Sequence, residues 1–157
     1  QSNLFILLFF SLLYVTYSVH NILDYGAQPQ SDSTVVAFKN SEALYKQFRL
    51  ELTEDRDVLI PAGYAFTMMS MEVSHLNDIS IIVDGKYFSR MTIEGGLEVR
   101  VIELNIFGDK DSSNLRFRGA GSIDGRGYMW WWREILVINP DGRPHMIVFN
   151  RVTNVVF

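Results

Sequence analysis

An all-β fold of short stacked strands is the architecture the sequence predicts, and three observations carry it. Downstream of the charged turn Glu54-Asp55-Arg56-Asp57 the chain offers short apolar or alternating runs separated by polar, glycine-containing turns, with no helical period between them. An asparagine followed by a short alternating strand recurs at Asn77, Asn114 and Asn154, at intervals of 37 and 40 residues, a spacing that suits one or two circuits of a solenoid. One amphipathic helix precedes these strands. Parallel strands cannot be joined by hairpins, so the pattern alone admits two architectures, a parallel β-helix or an antiparallel sandwich.

Residues 1–18 read as a secretory signal peptide. Leu4 to Val15 is almost wholly apolar, shorter than the roughly 20 residues a membrane span needs, and lacks an amphipathic face. Thr16 and Ser18 are small enough to precede cleavage before Val19. No basic residue precedes the apolar run and the chain starts with Gln1, so further upstream residues are expected. The remainder, 19–157, is expected to be the N-terminal portion of a single domain.

Asn21-Ile22-Leu23-Asp24-Tyr25-Gly26-Ala27 opens that domain. Pro29 then breaks regular structure, and Asp32 or Ser33 is placed to cap a helix over Thr34–Leu50. Ala37, Phe38, Leu44, Tyr45 and Phe48 fall near one face of it, with Lys39, Asn40, Lys46 and Gln47 elsewhere. A terminal strand layer exposes apolar surface and unpaired edges, so this helix is expected to cover the open end of the stack. Val58-Leu59-Ile60 reads as a buried strand ended by Pro61-Ala62-Gly63. Asp78–Val83 is the next, stopped by Asp84-Gly85. Leu97–Phe107 follows, with Leu97, Val99 and Val101 alternating against Glu98 and Arg100, and Gly108–Ser113 reads as a polar turn. From Asn114, Leu115 and Phe117 alternate with Arg116 and Arg118. This strand enters the segment Gly119-Ala120-Gly121-Ser122-Ile123-Asp124-Gly125-Arg126-Gly127, which ends in Trp130-Trp131-Trp132. Arg143–Phe149 and Asn154–Phe157 are the last strands. Because no capping element follows Phe157, a longer protein is expected.

The spacing G-x-I-D-G-x-G-x-x-W-W over Gly121–Trp131 resembles that of the polygalacturonases of glycoside hydrolase family 28. The resemblance extends to Arg143–Phe149, similar to that family's R-P-x-x-I/L-x-F strand, and to Asn154–Phe157. It also takes in Val58–Gly63, similar to its V-x-I/F-P-x-G segment, with Tyr64 and Phe66 following. Asn21–Ala27 looks like the N-x-x-D-Y/F-G-A opening of many parallel β-helix proteins, pectate-lyase-like chains and phage tailspikes among them. The Asp-Gly that usually follows is replaced by Gln28-Pro29-Gln30, while Asp32-Ser33-Thr34 is present. The resemblance decides between the two architectures. It implies a right-handed parallel β-helix, a pectin-lyase-like solenoid, with a capping α-helix over its N-terminal coils.

For activity, the resemblance implies hydrolysis of O-glycosidic bonds in pectin-type polysaccharide by inversion. Such a reaction requires carboxylates on both sides of the sugar, one protonating the leaving oxygen and the other activating water. The family's N-T-D segment, D-D pair, G-H-G histidine and R-I-K uronate-binding segment are all absent from residues 1–157. No catalytic, cofactor-binding or metal-ligating residue is therefore assigned within this chain, no cofactor is expected, and the chain alone is expected to be inactive. The implied partner is a galacturonan-type polysaccharide met outside the cell, by a protein that is monomeric when full length and not inserted in a membrane once its signal is removed.

The residues on hand agree. The net charge of −4 gives no case for nucleic acid, and the absence of cysteine excludes disulfides and thiolate chemistry. Asp24 and Asp32 read as turn and cap residues, and Asp84, Asp109, Asp111, Asp124 and Asp141 as turn residues. His20, His75 and His145 are isolated and lack metal-ligand spacing; His145, near Arg143, reads as a strand-edge residue. A phosphate-binding glycine loop is disfavoured, because neither a lysine-serine pair nor a helix-like run follows the glycines. Of the three tryptophans at least two are expected to be packed anchors, since neighbours on a strand face opposite ways. Two other functions stay open: a non-catalytic β-helix module that binds polysaccharide, and a β-eliminating lyase of the pectate-lyase type.

Overall fold

The computed structural model describes residues 19–49, 56–90, 105–136 and 145–157. The signal segment 1–18, Glu54-Asp55, the run from Leu97 to Leu104, Asp141 and Arg143-Pro144 lie outside the described residues.

The chain is strand-rich. Its strands are β1 (Val19–Asn21), β2 (Arg56–Ile60), β3 (Ala65–Met69), β4 (Met71–Ser74), β5 (Asn77–Val83), β6 (Lys86–Arg90), β7 (Asn105–Lys110), β8 (Ser113–Arg118), β9 (Ser122–Asp124), β10 (His145–Asn150) and β11 (Thr153–Val156). Among the described residues two α-helices join them, α1 (Thr34–Phe48) and α2 (Gly127–Ile135). A first sheet has the order β1-β2-β5-β8-β11, a second β3-β6-β9 and a third β10-β7-β4. Among the described residues the strand pairings are parallel throughout, which removes the antiparallel sandwich. From β2 onward the chain visits the first, second and third sheets in turn and returns to the first.

The register explains why short, unrelated-looking runs become strands. Side chains of parallel neighbours stack directly above one another, so each apolar position needs an apolar partner one level away. In the first sheet Ile79 stacks on Leu115 and Leu115 on Val155, while Val58, Ile81 and Phe117 form a second column. In the second sheet Phe66, Tyr87 and Ile123 are aligned. These columns meet in one core, and each fully buried aliphatic or aromatic side chain contributes about 1.5–3 kcal/mol. β3 was not expected as a strand, because Phe66, Thr67, Met68 and Met69 are all buried and leave no alternation to read. β6 was equally hidden by its polar sequence.

Tyr87 is buried, and burial pushes its phenol well above the usual tyrosine range. A group whose pKa rises on folding adds stability that is complete below its unfolded value, about 10, and is lost as pH climbs toward the folded value. Stability is therefore expected to fall above about pH 10, less steeply in Tyr87→Phe; equal alkaline slopes in urea titrations of the two proteins would overturn this.

The link from the third sheet to the first is a repeated corner. His75, Asp111 and Arg151 each follow a third-sheet strand at φ 59°, 55° and 55°. Asp78, Asn114 and Asn154, three residues later, return to the left-handed region at φ 55°, 55° and 57°. Asn and Asp tolerate that region best among residues with a side chain. The Asn114 amide donates to Asp78 (2.8 Å) and the Asn154 amide to Asn114 (2.6 Å), a ladder up the corner. This corrects the sequence repeat by one residue: the level below Asn114 is Asp78, whereas Asn77 accepts from Ser113 Oγ at 2.7 Å. Between the two left-handed positions Leu76 and Ser112 point inward and are buried. Asp111 and Arg151 pair as carboxylate and guanidinium at 2.7 Å.

α1 covers the free edge of β3. Its buried residues are Ala37, Asn40, Ala43, Leu44, Gln47 and Phe48, which rotates the predicted face. Phe38 and Tyr45, placed inward by hydropathy, are 51% and 38% exposed. Asn40 and Gln47, placed outside, are buried because the helix meets unpaired backbone. The Asn40 amide donates to Thr67 O (2.9 Å) and Gln28 O (3.0 Å), and Asn40 Oδ1 accepts from Gln28 N (2.6 Å). Ser41 Oγ accepts from Met69 N (2.7 Å), and Gln30 N donates to Ala65 O (2.7 Å). Alternate residues of an edge strand point their polar groups away from the sheet, and here residues 65, 67 and 69 all find partners. Ahead of α1, Asn21 Oδ1 accepts from Leu23 N (3.0 Å) and Gly26 ends a 3-10 turn at φ 91°, so the Asn21–Ala27 motif is a capped turn that buries Ile22 and contains Asp24. Ser33 occupies the N-cap position of α1 without a side-chain bond. The Asp32 carboxylate instead faces Arg126 (2.9 Å) and Thr67.

Candidate functional site

The glycine segment forms the corner between the first and second sheets, one level above Asp84-Gly85. Gly121 N donates to Val83 O (2.7 Å) and Ser122 N to Gly85 O (3.1 Å). Gly119 has φ 121°, and a Cβ there would collide with the Val83 backbone; a Cβ on Gly121 would collide with Gly85 O. Gly119 and Gly121 are thus required by close contact between stacked backbones. Asp84 Oδ1 accepts from Ala120 N (3.1 Å), as expected for a turn residue, whereas Asp124 is the last residue of β9 and its Oδ1 accepts from Arg126 N (2.8 Å). Asp111 lies at a corner as anticipated, but Asp109 is in β7 and not in a loop.

Corners of unequal length leave a groove. The turn over residues 61–64 is longer than Asp84-Gly85, so Tyr64 projects beside Lys86 and Ser122. The resulting groove has a volume of about 380 Å³ and is lined by Gln30, Tyr64, Asp84, Lys86 and Ser122 along with the corner glycines. Ala65, Lys86 and Ser122 are register partners, so the groove spans three levels, a length of about 10 Å at the spacing of paired strands. Tyr64 is 41% exposed, and its ring lies against Phe66 at 6.1 Å between centroids. One face of an aromatic ring, one cation, one carboxylate, one amide and one hydroxyl converge here. Sequence reasoning missed this grouping: Lys86 and Ser122 carry no local signal, and only the register brings them beside Tyr64.

Beyond β9 the chain forms α2, contrary to the expectation that no helix follows the glycines; the lysine-serine pair of a phosphate loop is still absent. The helix also changes the reading of the tryptophans. Trp130 is buried, whereas Trp131 and Trp132 are 57% and 49% exposed, so one anchor is packed rather than two. Tyr128, Trp131, Trp132 and Ile135 follow i, i+3, i+4, i+7 spacing and share one exposed helix face. Arg126, at the entrance to α2, lies over the Phe88 ring at 5.4 Å while pairing with Asp32.

The three histidines stay apart. His20 Nδ1 lies 2.6 Å from the Tyr25 hydroxyl, His75 occupies a corner, and His145 opens β10 in an exposed position. Among the described residues no cluster of His, Asp or Glu could hold a metal, and no helix is long and apolar enough to cross a membrane. Compared with family models, curated proteins and solved structures, the chain matches none.

Proposed function

We propose that this chain is the N-terminal part of a secreted, polygalacturonase-like glycoside hydrolase, built on a right-handed parallel β-helix whose first coils α1 caps. The observation that carries the reading is the place of the G-x-I-D-G-x-G-x-x-W-W segment. Its first glycine, Gly121, stands where a stack of parallel strands leaves no room for a Cβ, as does Gly119 just before it, and its first tryptophan is packed. The chain's passage through three parallel sheets in constant order supports the same reading. In it, the acid and base belong to sequence outside residues 1–157, because none of the four signature segments occurs within them. Among the described residues, Asp84 and Asp124 accept backbone hydrogen bonds, and Asp32, Asp57 and Asp111 face arginines.

The full-length secreted protein is expected to release reducing ends from polygalacturonate with inversion at the anomeric carbon, and purified residues 19–157 to release none. Unsaturated, ultraviolet-absorbing products would replace this reading with a lyase. Retention of polygalacturonate without any product would replace it with a binding module.

A further inference from the structure

We infer that the groove along Tyr64, Lys86 and Ser122 is a saccharide-binding site, taking one hexuronate unit of a polysaccharide that runs parallel to the stacking axis. The inference rests on the proposed function for the identity of the sugar; the site itself follows from the groove. A pyranose ring presents an apolar C–H face and a rim of hydroxyls, so it is held by an exposed aromatic face together with mixed donors and acceptors. Tyr64 supplies the ring, braced from beneath by Phe66. Lys86 supplies a donor cation suited to a sugar carboxylate. Asp84 has one carboxylate oxygen engaged by Ala120 N, which leaves the other to accept from hydroxyls. Gln30 adds an amide that both donates and accepts, and Ser122 a hydroxyl. All five line the same groove.

Position adds a second argument. Lys86 N donates to Tyr64 O at 2.9 Å, so the backbones that carry the cation and the ring are fixed relative to each other. Lys86 and Ser122 stand on adjacent levels of the second sheet. The backbone framework of such a site is set before ligand arrives, which lowers the ordering cost of binding. It does no bond-breaking and serves to hold the polymer.

The test is calorimetric titration of the full-length secreted protein with an oligogalacturonide and, separately, with a neutral oligosaccharide of equal length. Tyr64→Ala is expected to weaken binding of the acidic ligand by about tenfold, equivalent to about 1.4 kcal/mol. Lys86→Gln is expected to weaken the acidic ligand similarly while leaving any neutral binding unchanged, and Lys86→Arg to restore most of the loss. Both side chains are solvent-exposed, so unchanged melting temperatures serve as the folding control. Wild-type affinity in both Tyr64→Ala and Lys86→Gln overturns the site even if the protein hydrolyses polygalacturonate. Loss of oligogalacturonide affinity in a protein that yields no product supports the site while overturning the hydrolase reading.

Discussion

Gly119→Ala is expected to destabilise the protein by about 4 kcal/mol, a large share of the 5–15 kcal/mol that holds a domain folded. Two independent penalties add. A side chain at φ 121° is held in a region L-residues avoid, worth about 1–3 kcal/mol. The new Cβ also meets the Val83 backbone, and overpacking adds about 1–3 kcal/mol. The obstacle is backbone in the strand one level below, so relief requires separating two levels of the stack. The corner would have to release the bond from Gly121 N to Val83 O.

Gly127→Ala is the matched control. No atom lies within 4 Å of a Cβ built there and its backbone conformation is open to any residue. At the first position of α2 alanine is the better helix former by up to about 1 kcal/mol. Denaturant titration of the two variants should therefore give shifts of opposite sign or, for Gly127→Ala, no loss. Equal small effects would mean that the corner is not packed backbone to backbone.

What could be read in the sequence depended on whether a residue's partner was local. The strand at Leu115–Phe117 was legible because its two faces differ, one buried and one carrying Arg116 and Arg118. The asparagine repeat was visible but misaligned by a residue, since Asp78 serves the ladder as well as asparagine does and nothing in composition separates it from Asn77. β3 could not be read, because Thr67 and Met69 are buried along with Phe66 and Met68, which erases the period-two signal. The α1 face was misassigned because a helix that lies against a strand edge buries amides there, and hydropathy ranks amides as exposed. The tryptophans were read as anchors on the ground that strand neighbours face opposite ways; the spacing of Tyr128 and Trp132, whose rings meet edge to face at 6.0 Å, belongs to a helix. Of the groove Gln30, Tyr64, Asp84 and Ser122 were each noticed in separate segments, but not as a group, since Lys86 and Ser122 are brought to Tyr64 by parallel register across 22 and 58 residues of sequence.

Asn40→Ala is expected to cost about 3 kcal/mol, although asparagine on a helix surface is ordinarily replaceable. Asn40 is fully buried, and its removal leaves Gln28 N, Gln28 O and Thr67 O without this partner; the Gln28 groups lie at an exposed residue that water can reach, whereas Thr67 is buried, and a buried group so orphaned costs about 1–3 kcal/mol. Part of the damage appears as association, because freeing the β3 edge exposes a template for a second chain, so light scattering should rise with protein concentration. Asn40→Asp separates hydrogen bonding from volume. Its carboxyl would face the Thr67 and Gln28 carbonyls, which accept hydrogen bonds and repel an anion, so its pKa is raised on folding. The sign follows: the variant keeps its stability below the unfolded aspartate value of about 3.9 and loses it as pH climbs to the folded value. Each unit of that rise subtracts about 1.4 kcal/mol relative to the wild type. Asn40→Asp should thus approach the wild-type protein near pH 4 and fall well below it at pH 7, whereas Asn40→Ala should show the same deficit at both. A pH-independent deficit in Asn40→Asp, or a loss in Asn40→Ala below about 1 kcal/mol, would mean that α1 rests on the sheet by apolar contact alone and leaves the β3 edge to other partners.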